Sequence, residues 1–274
     1  RQDVTLKKLI EDKKVDGPRL LAAGIGMKGS HGAGYIGMPH CGAGEIRHTC
    51  RENLKKGADL LKLFITPGVP DPASTFVPSF LSLEEISTAV SEGARLGIPT
   101  AAHCIGGQGL KDCIDGGVDV IEHMYMAAEQ DVERLAASRC VVDLTSGIFL
   151  DPSREEFLSP ANALKVRLNR SRVRENVARI IKARLPFVLG TDAYHGFLYR
   201  EVGYAVELGA DPVTAIQGVT SRAARVCRLE DRIGKLENGM EADIIAVEGN
   251  PLEDVSRLSQ VGLVMKGGVV YRQP

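Results

Sequence analysis

Lys62, His103, His123 and Asp192 are the residues of this chain best placed to do chemistry, because each sits in or closes a short apolar run. Lys62 lies in Leu60-Leu61-Lys62-Leu63-Phe64-Ile65, and His103 ends Ile98-Pro99-Thr100-Ala101-Ala102-His103. His123 ends Val118-Asp119-Val120-Ile121-Glu122-His123, and Asp192 ends Pro186-Phe187-Val188-Leu189-Gly190-Thr191-Asp192. Short apolar runs alternating with amphipathic helical stretches read as parallel strands buried on both faces. In such α/β folds the chemistry gathers beyond the carboxyl ends of the strands. An amine, two imidazoles and a carboxylate at that point, in four separate strands, are expected to converge on one mouth of the scaffold as a metal site.

The elements that must position them alternate along most of the chain. Helical patterns cover residues 4–13, 45–56, 82–96, 107–116, 131–138, 161–184 and 212–227. Ser82 with Glu85 is a capping-box signature, Gly57 and Gly97 are helix stops, and Asp211-Pro212 sets an N-cap with proline at N1. Strands are expected over 19–26, 60–65, 98–103, 118–123, 140–144 and 186–192. A closed parallel barrel needs eight, so the reading places two more strands before Arg1, which is not a methionine. After about residue 229 short strands broken by Gly, Asn and Pro read as a small β appendage. The expected division is a barrel over 1–228 and the appendage over 229–274.

Composition narrows the function class. Lys and Arg number 34 against 35 Asp and Glu, a formal net charge of -1. That balance argues against a nucleic-acid or polyanion partner. No apolar run approaches the roughly 20 residues needed to span a bilayer, and the first residues are not a signal peptide. The six cysteines form no CxxC pair and read as reduced thiols of a cytoplasmic protein, mostly core fillers. Cys104, beside His103, belongs to the core because strand neighbours face opposite ways. Glu122 is assigned to the outer layer, and the arginines at 167, 170, 172 and 174 to a solvated helix face. The expected partner is a small-molecule substrate, with no nucleic acid, no membrane and a possible homo-oligomer.

Several motifs resemble the amidohydrolase superfamily, in particular its imidazolonepropionase-like and Xaa-Pro dipeptidase-like branch. They are Gly57-Ala58-Asp59-Leu60-Leu61-Lys62, Ala101-Ala102-His103, Val120-Ile121-Glu122-His123, Gly190-Thr191-Asp192-Ala193 and the tail from Gly234 to Asp243 followed by Gly249-Asn250-Pro251-Leu252. The resemblance runs in family order over nearly the whole chain. It implies a (β/α)8 TIM-type barrel, incomplete here with strands three to eight, plus the C-terminal part of a small β-sandwich. By the same resemblance Lys62 is the strand-four lysine, carboxylated to bridge two metals. His103 and His123 are metal ligands, and Asp192 is a ligand and the general base. The implied cofactor is zinc, as one or two divalent ions, with manganese or iron as alternatives. The family's strand-one His-x-His pair has no counterpart among His31, His40 and His48. Substrate-side roles fall to His31 and Tyr35 in the Gly-rich loop and to His195.

The implied activity is hydrolysis of an amide, cyclic amide or peptide-like C–N bond. A lysine cannot ligate as an ammonium ion, so Lys62 must lose its proton, which apolar surroundings favour, and take up carbon dioxide. Two other readings compete. One is a catalytically impaired or non-catalytic truncated barrel, favoured by the missing histidine pair. The other is an aldolase-type lyase with Lys62 as Schiff base.

Overall fold

The computed structural model describes residues 1–32, 37–192 and 195–273. It falls into two compact units, Arg1–Cys140 and Val141–Pro274. The first unit runs α1 (Gln2–Glu11), β1 (Met27–Gly29), β2 (Met38–His40), α2 (Ala43–Lys56), β3 (Leu61–Phe64), α3 (Leu83–Ala94), β4 (Thr100–Cys104), α4 (Gly107–Asp115), β5 (Val120–His123) and α5 (Glu129–Ala136). Its strands lie in the order β2-β1-β3-β4-β5, and every adjacent pair is parallel. Helices α3 and α4 pack on β3 and β4.

Local signals explain most boundaries. Ser82 accepts from the Glu85 backbone at 3.3 Å while the Glu85 carboxylate takes the Ser82 N–H at 2.8 Å, completing the capping box of α3. Gly57, at φ 92°, ends α2 in the left-handed conformation that costs glycine least.

The strand expected over residues 19–26 does not form, and β1 begins only at Met27. Side chains take the backbone groups that a ladder would have used. Asp59 accepts the Ala22 N–H at 2.9 Å, and Asp3 accepts that of Gly24 at 2.7 Å. Asn53 both accepts from Ile25 N at 3.1 Å and donates to its carbonyl at 2.8 Å. Such side-chain bonds compete directly with strand pairing. The short strand β2 was not anticipated and pairs with β1.

The second unit runs β6 (Val141–Leu144), α6 (Gly147–Leu150), α7 (Pro160–Lys182), β7 (Phe187–Leu189), α8 (Leu198–Glu207), α9 (Pro212–Gly218), α10 (Ser221–Val226), β8 (Ile244–Val247), β9 (Val261–Lys266) and β10 (Val269–Arg272). Strands β6 and β7 are parallel, whereas β10-β9-β8 form an antiparallel sheet. The β9–β10 hairpin turns at Gly267 and Gly268, both at positive φ. One helix was expected from Asp211 to about Cys227. The Asp211 cap is there, accepting from Thr214 N at 2.9 Å, but the helix breaks at Val219 and Thr220, whose φ of −109° and −129° leave the helical region. The basic face of α7 is not simply solvated. Arg167 and Arg170 both pair with Glu155, and Arg174 pairs with Glu207. Cys50, Cys104, Cys113 and Cys140 are buried, while Cys41 and Cys227 are exposed. No helix among the described residues is long and apolar enough to cross a membrane.

Candidate functional site

Strand register decides which side chains of the first unit meet. Phe64 pairs with His103 and His103 with Glu122, while Lys62 pairs with Ala101 and Ala101 with Val120. Strand side chains alternate between faces, so Lys62, Phe64, His103 and Glu122 share one face. The opposite parity, Leu61, Leu63, Ala102, Cys104 and Ile121, is fully buried. Cys104 therefore goes to the core, as expected.

Alternation alone would send His123 to that buried face, because it pairs with Cys104. Its backbone prevents this. His123 has φ 77° and Met124 φ 54°, a left-handed conformation that costs a non-glycine residue about 1–2 kcal/mol. The step breaks the alternation and brings the His123 ring against that of His103, with centroids 4.5 Å apart and planes at 64°. Two consecutive residues thus turn toward one place, and Glu122 Oε2 lies 3.9 Å from His123 Nε2. Glu122 is not in the outer layer, since parity places it beside His103 and its carboxylate accepts from Lys62 Nζ. The same ammonium stands 5.2 Å from the centroid of Phe64.

Hydrogen bonds set the ring orientations. His103 Nε2 lies 3.1 Å from the Pro67 carbonyl oxygen. A carbonyl only accepts, so Nε2 is the donor in this contact. The Tyr125 hydroxyl lies 3.4 Å from His123 Nδ1. Burial first, then the neighbouring His103 and Lys62, hold His123 well below the usual imidazole range. The ring is accordingly neutral, the form that ligates a metal.

Lys28 stands on the same strand face as these residues and was not anticipated from the sequence. It pairs with Phe64, which puts it in the row of His103 and Glu122, and it is only 6% exposed. A buried lysine is uncommon. The expected strand over residues 19–26 ends before it, whereas β1 spans Met27–Gly29.

Asp192 belongs to the second unit, just past the carboxyl end of β7. It is exposed and holds φ 49°. Gly190 two residues earlier has a steric reason, since a Cβ there would lie 2.9 Å from the Asp143 carboxylate. Behind Asp192 lies a buried ion pair with no short-range signature. Arg154 donates to Glu201 at 2.9 Å and to the Thr191 carbonyl at 2.9 Å. Glu201 also accepts from the Gly147 N–H at 3.0 and 3.1 Å. Burial pushes the Glu201 carboxyl up to about 7, against the lowering by Gly147 N–H and Arg154. A Cβ on Gly147 would stand 2.5 Å from both Arg154 and Glu201. Gly147→Ala is therefore expected to lower stability by about 1–3 kcal/mol, the usual cost of overpacking, read as a shifted urea midpoint.

Of the three substrate-side candidates, His31 is exposed and packs edge-on against Phe80, with centroids 5.9 Å apart. Tyr35 lies outside the described residues. The backbone of His195 opens the 3-10 turn His195–Phe197. Among the described residues no three His, Cys, Asp or Glu side chains cluster closely enough to hold a metal ion. The first unit offers two imidazoles with Lys62 and Glu122 beside them, a donor set to which a carboxylated lysine would add the oxygen ligand that zinc accepts.

A parallel-strand scaffold with this row of residues defines an amidohydrolase-type barrel protein. The amidohydrolase family model matches residues 2–270, and the chain belongs to that family. The ochratoxinase of Aspergillus niger is 30% identical over a 308-residue alignment that covers 97% of this chain and 63% of that protein. The chain thus spans about 63% of the length of the curated ochratoxinase it matches. The imidazolonepropionase of Desulfotalea psychrophila is 23% identical over 179 residues, covering 61% of this chain and 38% of that protein. Among solved structures, a Xaa-Pro dipeptidase with methionine bound in its active site superposes with TM-score 0.85 at 29% identity, covering 98% of this chain and 72% of that one. The A. niger ochratoxinase structure superposes with TM-score 0.83 at 27% identity, over 99% of this chain and 70% of that one.

Proposed function

We propose that the protein is a metal-dependent hydrolase of an amide, cyclic amide or peptide-like C–N bond in a cytoplasmic small molecule. The observation that carries the reading is the left-handed turn at His123, which sets its ring edge-on to that of His103, on the strand face that also carries Lys62. Backbone held in an unfavourable region, at a cost the surroundings must offset, is a mark of functional sites. Family membership supports the reaction class.

In this reading His103 and the neutral ring of His123 would hold the ion, with carboxylated Lys62 supplying an oxygen ligand. A bound divalent ion supplies Lewis-acid polarisation of a carbonyl and lowers the pKa of water to about 7. By the family resemblance Asp192 would be the base that takes a proton from water and returns it to the leaving nitrogen. For Lys62 to be carboxylated its ion pair with Glu122 must open. The new negative charge would then stand beside Glu122, so carboxylation and cation binding favour each other.

The test measures zinc and manganese in the purified chain, then hydrolysis of Xaa-Pro dipeptides and N-acyl amino acids before and after chelation. Stoichiometric metal, with activity lost on chelation and restored by zinc, is the expected result. Asp192→Asn should lower kcat about 10²- to 10⁴-fold. A chain that binds no metal and cleaves nothing would instead be the non-catalytic barrel, a reading favoured by the lack of a three-residue His, Cys, Asp or Glu cluster among the described residues.

A further inference from the structure

We propose that the buried Arg154–Glu201 pair is a positioning device for Asp192, tying the residue before that carboxylate to the helix Leu198–Glu207. The inference rests on reading Asp192 as the base. Arg154 is 1% exposed and Glu201 0%. The guanidinium fork spans two places that flank Asp192 in sequence. One nitrogen holds the carbonyl of Thr191, the residue just before it, at 2.9 Å. The other holds Glu201, at 2.9 Å, on the helix that follows.

The surroundings leave the fork little freedom. Glu201 is fixed in turn by the Gly147 N–H, and the missing side chain of Gly147 makes the room. Arg154 stands 5.6 Å from the centroid of Phe197, and Arg200 stands 4.4 Å from it. Arg200 also donates to Asp151 at 2.6 Å. The segments before and after Asp192 are therefore tied to one buried cation. Asp192 itself keeps a left-handed backbone, φ 49°, which persists only where neighbours over-determine it. A base displaced by about 1 Å loses on the order of 10²-fold in rate. Only a planar fork serves carbonyl and carboxylate together, and a lysine cannot replace it.

The test uses the full chain and three variants. Arg154→Met with Glu201→Gln removes both charges while leaving Gly147 an acceptor, and Arg154→Lys keeps the charge without the fork. In both, amide hydrogen exchange over residues 190–198 should quicken at least tenfold, with exchange over β3–β5 unchanged. The kcat should fall at least tenfold with KM within threefold. Unchanged exchange over 190–198 overturns the proposal, even if the double variant folds poorly, because Arg154→Lys gives the same reading. Faster exchange with an unchanged kcat, when Asp192→Asn is inactive, also overturns it. If Asp192→Asn instead retains full activity, the assignment of Asp192 as base fails, while the exchange result still decides whether the pair holds the segment.

Discussion

Lys62→Ala is expected to strip the protein of bound metal and to lower hydrolysis by well over 100-fold. Residues that merely support a ligand typically cost 10- to 100-fold when mutated, and Lys62 is proposed as a ligand. Alanine also removes the partner of Glu122, whose carboxylate lies 3.9 Å from His123 Nε2. That leaves a negative charge facing two imidazoles with no oxygen ligand of the right reach. Metal content by atomic absorption and kcat/KM on the best dipeptide or acyl-amino acid check the result together. Added acetate or propionate should restore part of both, since a short carboxylate fits the space vacated by the lysine. Full activity in the alanine variant would remove lysine carboxylation from the mechanism.

Arg154→Ala should have the largest effect on stability. It leaves Glu201, 0% exposed, without its cation, and breaking a buried pair from one side costs about 3–5 kcal/mol. In a chain this long that is on the order of a 10 °C fall in Tm. The pH dependence follows from the direction of the Glu201 shift. Its folded-state pKa, about 7, lies above the ordinary 4.5, so the folded state binds more protons than the unfolded one between those values. Glu201 thus favours folding at low pH and loses that contribution as pH rises through the window. Without Arg154 the folded pKa climbs further and the loss continues above pH 7. The gap in urea midpoint between parent and variant should therefore widen from pH 6 to pH 8. A gap that narrows with rising pH would contradict a buried carboxylate there.

How much of this was legible before folding varies with the range of the interaction. The capping box at Ser82 and the left-handed stop at Gly57 depend on residues a few positions apart, and both stand where the chain predicts them. The strands carrying Lys62, His103 and His123 also stand as read, because a short, mainly apolar run between turn signals leaves little choice when both faces are covered. Residues 19–26 show the opposite case. Their apolar pattern suits a strand, yet Asp3, Asn53 and Asp59, distant in sequence, take their backbone groups.

The amino-acid sequence by itself determined the alternation of strands and helices and which ionisable residues sit in or after strands, and the order of its motifs pointed to the family. The alternation follows from local hydrophobic period and turn chemistry, which do not require the rest of the chain. Tertiary structure alone decided which way the side chains point and what holds them. Strand register sets Glu122 beside His103 and Lys62 rather than in the outer layer, and it would send His123 to the buried face, whereas the His123 backbone at φ 77° turns its ring to His103. Arg154 and Glu201 are 47 residues apart, and only the packing of the second unit brings them together. Loop closure and burial set such pairs, and neither leaves a periodic trace in the sequence.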